Sequence, residues 1–250
     1  MKLNRAELTP KQRLIFPLDV PDWKSAEPLV HKLKDQVGFF KVGLELFTAE
    51  GPRAVRKLTD ITQGRIGLFL DLKLHDIPAT VGRAAAAAER LGADLLTVHA
   101  SGGPAMIEAA RKAAGRTKIL AVTVLTSLDP SGLTELKDEY RRPGALVLRL
   151  ARQAAEAGGD GFVCSGHESA ALRSEFGPDQ LIIVPGIRPA WSLVEGDDQQ
   201  RVVTPRKAIA AGADLLVVGR PIRDAADPAQ AAVRVVQEID FATPIAPLEI

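Results

Sequence analysis

The sequence predicts an α/β chain folded as a closed (β/α)8 barrel of eight parallel strands (a TIM barrel), and three observations carry that prediction. Short apolar runs rich in Val, Ile, Leu and Phe recur eight times, near residues 14–19, 39–43, 66–73, 94–99, 119–125, 160–164, 181–185 and 214–219. The longer stretches between them repeat apolar residues with a helical period, the pattern of parallel strands joined by crossover helices. Eight such units in 250 residues match the usual size of a (β/α)8 barrel, whereas a doubly wound sheet of this length more often has about five to seven strands. The chain is read as one domain over 1–250, with a polar leader at 1–12 and a C-terminal tail at 240–250.

Taken in order, the strands end on polar residues. The first closes on Ile15-Phe16-Pro17-Leu18-Asp19 and the second is Phe39-Phe40-Lys41-Val42-Gly43. The third, Leu68-Phe69-Leu70-Asp71-Leu72-Lys73-Leu74, runs into His75-Asp76-Ile77-Pro78-Ala79-Thr80, where Pro78 suits the first turn of an Ala-rich helix. The fourth ends at His99, the fifth leads to Thr126-Ser127, and the sixth is Gly161-Phe162-Val163-Cys164-Ser165. The seventh leads to Pro185-Gly186-Ile187-Arg188 and the eighth to Gly219-Arg220. Three helices stop alike, at Leu91-Gly92-Ala93-Asp94, Ala157-Gly158-Gly159-Asp160 and Ala211-Gly212-Ala213-Asp214, each with Gly where a left-handed cap is needed. Residues 186–204 lack periodicity and contain Gly196-Asp197-Asp198-Gln199-Gln200, the reading of a lid loop, in which Trp191 either anchors the lid or packs on a neighbour.

Composition narrows the function classes. With 32 basic and 31 acidic side chains the net charge is +1, too balanced for the counterion release that drives nucleic-acid binding. The single cysteine, Cys164, excludes an intramolecular disulfide and reads as an inert buried thiol, and no CxxC or HExxH spacing offers a metal cage. Neither a signal peptide nor 18 uninterrupted apolar residues occur, so a cytoplasmic protein with no membrane partner is expected.

Chemistry in such a barrel belongs at the C-terminal ends of the strands. Asp19, Lys41, Asp71, Lys73, His99, Ser127, Ser165, Arg188 and Arg220 all fall at or just beyond such an end. Asp71 and Lys73, two apart on a strand, are expected on one face with Leu70 and Leu72 on the other. On spacing alone two readings stand: a salt bridge plugging the barrel with Asp76 as a helix cap, or a reactive site. Lys41 and Asp19 from neighbouring strands favour the second, since alternating charges at one mouth are costly to desolvate for packing alone.

The run Asp71-x-Lys73-x-x-Asp76-Ile77-Pro78-x-Thr80 resembles the signature of the orotidine 5'-phosphate decarboxylase family. Further matches are Leu18-Asp19-Val20-Pro21, Lys41-Val42-Gly43, Val98-His99-Ala100-Ser101-Gly102-Gly103, Thr123-Val124-Leu125-Thr126-Ser127, Pro185-Gly186-Ile187-Arg188-Pro189 and Val218-Gly219-Arg220. The resemblance implies decarboxylation of orotidine 5'-phosphate to uridine 5'-phosphate without metal or cofactor. It implies that Lys73 protonates C6, that Asp71 stands beside the substrate carboxylate, and that Lys41 and Asp76 complete the charged array. Asp76 and Thr80 would reach into the partner's site in a homodimer. Asp19, with Lys41 beside it, resembles the ribose contact, and Thr126 and Ser127 the contacts to the base. Gln199, Gly219 and Arg220 resemble the phosphate grip, with Arg188 close to it. The short segment before the first strand leads us to expect a free-standing enzyme. Two rivals are kept: magnesium-dependent sugar-phosphate relatives, which lack a residue like Lys41, and a silent barrel that only binds phosphorylated ligands.

Overall fold

Strands form where β-branched, Leu and Phe residues run consecutively, because each strand must bury one face against the barrel interior and the other against a helix. The computed structural model describes residues 7–125, 143–192 and 203–242. Its strands are β1 (Leu14–Pro17), β2 (Phe39–Gly43), β3 (Gly67–Leu74), β4 (Leu95–His99), β5 (Lys118–Val122), β6 (Gly161–Val163), β7 (Leu181–Val184) and β8 (Leu215–Val217). They pair in parallel in chain order, and β1 closes on β8 with Leu14 opposite Leu216 and Ile15 opposite Val217.

Around the barrel lie α1 (Trp23–Leu33), α2 (Leu44–Glu50), α3 (Pro52–Thr62), α4 (Pro78–Arg90), α5 (Pro104–Ala113), α6 (Pro143–Glu156), α7 (Ser169–Phe176), α8 (Pro205–Ala210), α9 (Arg220–Arg223) and α10 (Pro228–Asp240). Pro opens several of them, where its missing N–H costs nothing, and Asp22, Thr204 and Asp227 accept first-turn amides at the starts of α1, α8 and α10. Among the described residues no helix is long and apolar enough to cross a membrane.

Alternation along the strands sorts the core into two layers. Ile15, Phe39, Phe69, Leu95, Leu120, Ile183 and Leu215 meet inside the barrel, while Phe16, Phe40, Leu70, Leu96, Phe162, Ile182 and Leu216 face the helices. Leu8, in the stretch read as a polar leader, is buried with the inner layer. Trp191 packs on the outer layer and stacks on the guanidinium of Arg234, 4.3 Å from its ring centre. The tail from 243 onward lies outside the described residues.

The three Gly-Asp junctions do more than stop helices. Gly92, Gly158 and Gly212 do take left-handed backbone, with φ of 82°, 82° and 96°. The aspartate that follows then clamps its strand to the preceding one. Asp94 donates its amide to the Leu68 carbonyl and accepts the Leu68 amide on its carboxylate, both at 2.9 Å. Asp160 repeats this on Ile119 at 2.9 and 2.9 Å, and Asp214 on Ile182 at 2.8 and 2.8 Å. Arg111 and Lys118 neutralise Asp160, and Arg173 neutralises Asp214. At the matching position before β2 stands Gly38, where an added Cβ would fall 2.4 Å from Gln12 Cα, so no side chain fits.

Asp214 is fully buried, so its removal leaves the Ile182 amide without its acceptor and strips Arg173 of this counter-charge, leaving main-chain carbonyls on the guanidinium. Asp214→Ala is expected to lower the unfolding free energy by about 3–5 kcal/mol in a urea titration. Asp160→Ala, whose partners Arg111 and Lys118 reach water, should cost less.

Candidate active site

The inward register of β2 and β3 delivers the charges. Phe39 and Phe69 point into the core, so Lys41 and Asp71, two residues further along each strand, point the same way at the C-terminal mouth. Lys41 Nζ lies 2.9 Å from Asp19 Oδ1 and 3.2 Å from Asp71 Oδ2. Lys73 Nζ lies 2.8 Å from Asp71 Oδ1. Each oxygen of Asp71 therefore carries one ammonium group, and the chain of charges runs Asp19, Lys41, Asp71, Lys73.

The convergence of Asp71 and Lys73 is as expected, but simple alternation does not produce it. The register of β3 on β4 is Phe69 opposite Leu95 and Leu70 opposite Leu96, then slips so that Leu74 faces Val98. Within this bulge Lys73 adopts φ of 48°, left-handed backbone that costs a non-glycine residue about 1–3 kcal/mol. Thr97 on β4 meets the bulge: its Oγ1 accepts the Lys73 amide at 2.9 Å and donates to Asp71 Oδ1 at 3.0 Å.

Electrostatics follow from the packing. Burial pushes the Asp71 carboxyl up, but Lys41 and Lys73, with hydrogen bonds from Lys73 and Thr97, outweigh it and hold the group below its ordinary value near 3.8. Burial likewise pulls Lys41 down, yet Asp71 and Asp19 more than offset it and raise the ammonium above its ordinary 10.5. The His99 ring lies 5.4 Å from that of His75, and burial, His75 and Lys73 lower its pKa. Cys164 is buried, and desolvation pushes its thiol up, as an inert thiol requires.

A cavity of about 150 Å³ opens at this mouth. Lys41, Asp71 and Lys73 line one side, while Val122, Val163, Pro185 and Val217 from β5 to β8 line the other. The mouth is thus charged on one half and apolar on the other.

The other predicted residues are not among the described residues that line this cavity. Asp76 is exposed and turns its carboxylate to the Ile77 amide at 2.6 Å, making no ion pair with Lys73 in its own chain. It is not the helix cap, a position Ile77 takes. Thr80 is half-buried on α4. Arg188 is buried and lines a cavity with His167 and Lys207 that, among the described residues, shares no wall residue with the first. Gly219 precedes α9, and Arg220, its first residue, is exposed. Thr126, Ser127 and Gln199 lie outside the described residues.

Sequence reading gave no role to Thr97 or Gly43. Thr97 was findable, since a hydroxyl at an inward position between Leu96 and Val98 has to meet something polar. A Cβ on Gly43 would lie 3.0 Å from both Asp19 Oδ1 and Lys41 Nζ, so glycine leaves room for that pair.

A closed parallel barrel with ionised side chains converging at its C-terminal mouth is the architecture of barrel enzymes. Residues 12–235 match the orotidine 5'-phosphate decarboxylase / HUMPS family, and the chain belongs to it. An orotidine 5'-phosphate decarboxylase of Anaeromyxobacter sp. (strain K) is 53% identical over 228 residues, covering 90% of this chain and 97% of the relative. One from Moorella thermoacetica is 48% identical, covering 92% and 93%. The crystal structure of orotidine 5'-phosphate decarboxylase from Lactobacillus acidophilus superposes with a TM-score of 0.79 at 37% identity, covering 91% of this chain and 98% of that one.

The shifts predict a stability plateau with two limbs. Asp71, depressed when folded, stabilises fully above about pH 3.8, and this contribution is lost as pH falls below that towards the folded value. Lys41, raised when folded, stabilises fully below about pH 10.5 and loses this as pH rises towards its folded value. In denaturant titrations across pH, Asp71→Asn should flatten the acid limb and Lys41→Met the alkaline one.

Proposed function

We propose that the chain converts orotidine 5'-phosphate to uridine 5'-phosphate and carbon dioxide, a step in making pyrimidine nucleotides, without metal or cofactor. The observation that carries this reading is the Lys73 ammonium, 2.8 Å from Asp71 at the wall of a cavity that is apolar on its far side. The C6–carboxylate bond breaks, its electron pair stays on C6, and carbon dioxide leaves. Lys73 stabilises the developing carbanion and gives it a proton, then regains one from water. Asp71 stands beside the departing carboxylate. Two like charges about 4 Å apart interact by roughly 4 kcal/mol at an effective dielectric near 20. Enzymes lower barriers by about 8–23 kcal/mol, so repulsion from Asp71 is the smaller contribution and stabilisation by Lys73 the larger.

The apolar half suits the pyrimidine face, with Thr126 and Ser127 reading its polar edge. Asp19, oriented by Lys41, takes the ribose hydroxyls. Gln199, Gly219 and Arg220 hold the phosphate beyond β8, where barrels commonly bind phosphate, with Arg188 supporting them. A lid over that phosphate, the reading of residues 186–204, of which 193–202 lie outside the described residues, would turn its binding energy into catalysis. The position of Lys41 between Asp19 and Asp71 supports metal-free chemistry, since a cation already stands where those acids would ligate one. A soluble nucleotide substrate fits a cytoplasmic enzyme that needs no nucleic-acid or membrane partner.

The working unit is a homodimer with shared sites. Asp76 faces solvent, and Ile77 and Leu44 are 65% and 55% exposed at the same mouth, an apolar surface suited to a second copy that would bring Asp76 and Thr80 to its partner's Lys73.

Purified protein should turn over orotidine 5'-phosphate in excess chelator, and Lys73→Ala should lower kcat by about 10²–10⁴-fold. Activity abolished by chelator would move the chain to the magnesium-dependent relatives, and none at all to a binding role. Mixing Lys73→Ala with Asp76→Ala chains should restore part of the activity, since a hybrid dimer rebuilds one intact site; no recovery would refute sharing.

A further inference from the structure

Thr97 is fully buried on β4, at an inward position otherwise walled by strand residues of the barrel. A buried hydroxyl is costly unless its hydrogen-bonding capacity is used. Here both directions are used, and the chemistry of the partners fixes which is which. The Lys73 amide can only donate, at 2.9 Å, and the ionised Asp71 carboxylate can only accept, at 3.0 Å. The hydroxyl hydrogen therefore points at Asp71, and the polarity runs from the Lys73 amide through Thr97 to Asp71 Oδ1.

That oxygen also receives Lys73 Nζ at 2.8 Å. The result is a closed ring that holds Lys73 at its main chain and at its side-chain tip. The ring spans the point where β3 leaves its register on β4 and Lys73 takes left-handed backbone. A threonine here compensates for the irregularity and reads out its geometry at the same time.

We infer that Thr97 is a positioning residue which, through one hydroxyl, sets the Asp71 carboxylate and the Lys73 main chain at a fixed separation and so aims the Lys73 ammonium. Its effect on catalysis rests on the decarboxylase reading given above. The hydrogen-bonded ring does not. The hydroxyl also helps to keep Asp71 ionised between its two ammonium neighbours.

The test compares wild type with Thr97→Val, which keeps the shape and removes the hydroxyl, and Thr97→Ser, which restores it. Hydrogen exchange of the Lys73 amide, followed by NMR, should quicken by about tenfold or more in Thr97→Val and return towards wild type in Thr97→Ser. On orotidine 5'-phosphate, kcat should fall by roughly 10- to 100-fold in Thr97→Val with KM changed less than about threefold, and Thr97→Ser should recover most of it. Should Thr97→Val fail to fold, Thr97→Ala makes the same comparison. Unchanged exchange and kcat in the hydroxyl-free variant, or Thr97→Ser as impaired as Thr97→Val, would overturn the inference. If wild type itself leaves the nucleotide untouched, the functional reading fails, and amide exchange alone decides the role of Thr97.

Discussion

The carboxylate of Asp71 sits inside the barrel mouth with an ammonium on each oxygen, and the site depends on that arrangement. An ionised acid at this depth is tolerated only when its neighbours replace the water it has lost. Lys41 and Lys73 do so at 3.2 and 2.8 Å, and Thr97 supplies a further donor. Asp19 in turn balances Lys41, so two acids and two bases close the local charge account without a counterion. Such an array cannot shift one member without leaving another unpaired, which makes it rigid by electrostatics as much as by packing.

Rigidity of this kind needs a scaffold that sets the strand register. Lys41 and Asp71 meet because Phe39 and Phe69 lock β2 and β3 into the inner layer below them. On the far side the described wall residues from β5 to β8, Val122, Val163, Pro185 and Val217 among them, are apolar. A ligand entering this mouth meets charge on one flank and hydrocarbon on the other, which orients a flat ring bearing one ionised group before any specific hydrogen bond forms.

Most of this was legible in the residues. The eight apolar runs correspond to the eight strands because doubly buried strands must be continuously hydrophobic, and the charges at their ends stand out against that background. Lys41, Asp71 and Lys73 converge as their positions at strand ends implied. What escaped was irregular backbone. The bulge that turns Lys73 into the mouth has no sequence mark, since left-handed backbone at a lysine is decided by tertiary bonds and not by propensity. The course of the Arg188 side chain was not legible either: its position after β7 does not say that it is buried along a cavity with His167 and Lys207. The outward turn of Asp76 carries no mark in spacing alone, since a carboxylate just past a strand end can face the mouth or solvent equally well.

The base of the barrel adds a last consequence. Carboxylate clamps join β3 to β4, β5 to β6 and β7 to β8, but Gly38 leaves β1 and β2 without one. That pair keeps only the backbone half of the clamp at its base, the Gly38 amide on the Leu14 carbonyl at 3.0 Å, and is tied again at the opposite end by Asp19 and Lys41 across the mouth and by the Leu18 amide on the Lys41 carbonyl at 2.8 Å. Wall and workplace therefore share a hinge pin at Lys41. Remodelling this mouth for another ligand would be mechanically free on the β5 to β8 flank and would loosen the barrel itself on the β1 to β2 flank, so variation in ligand preference has room on one side of the ring only.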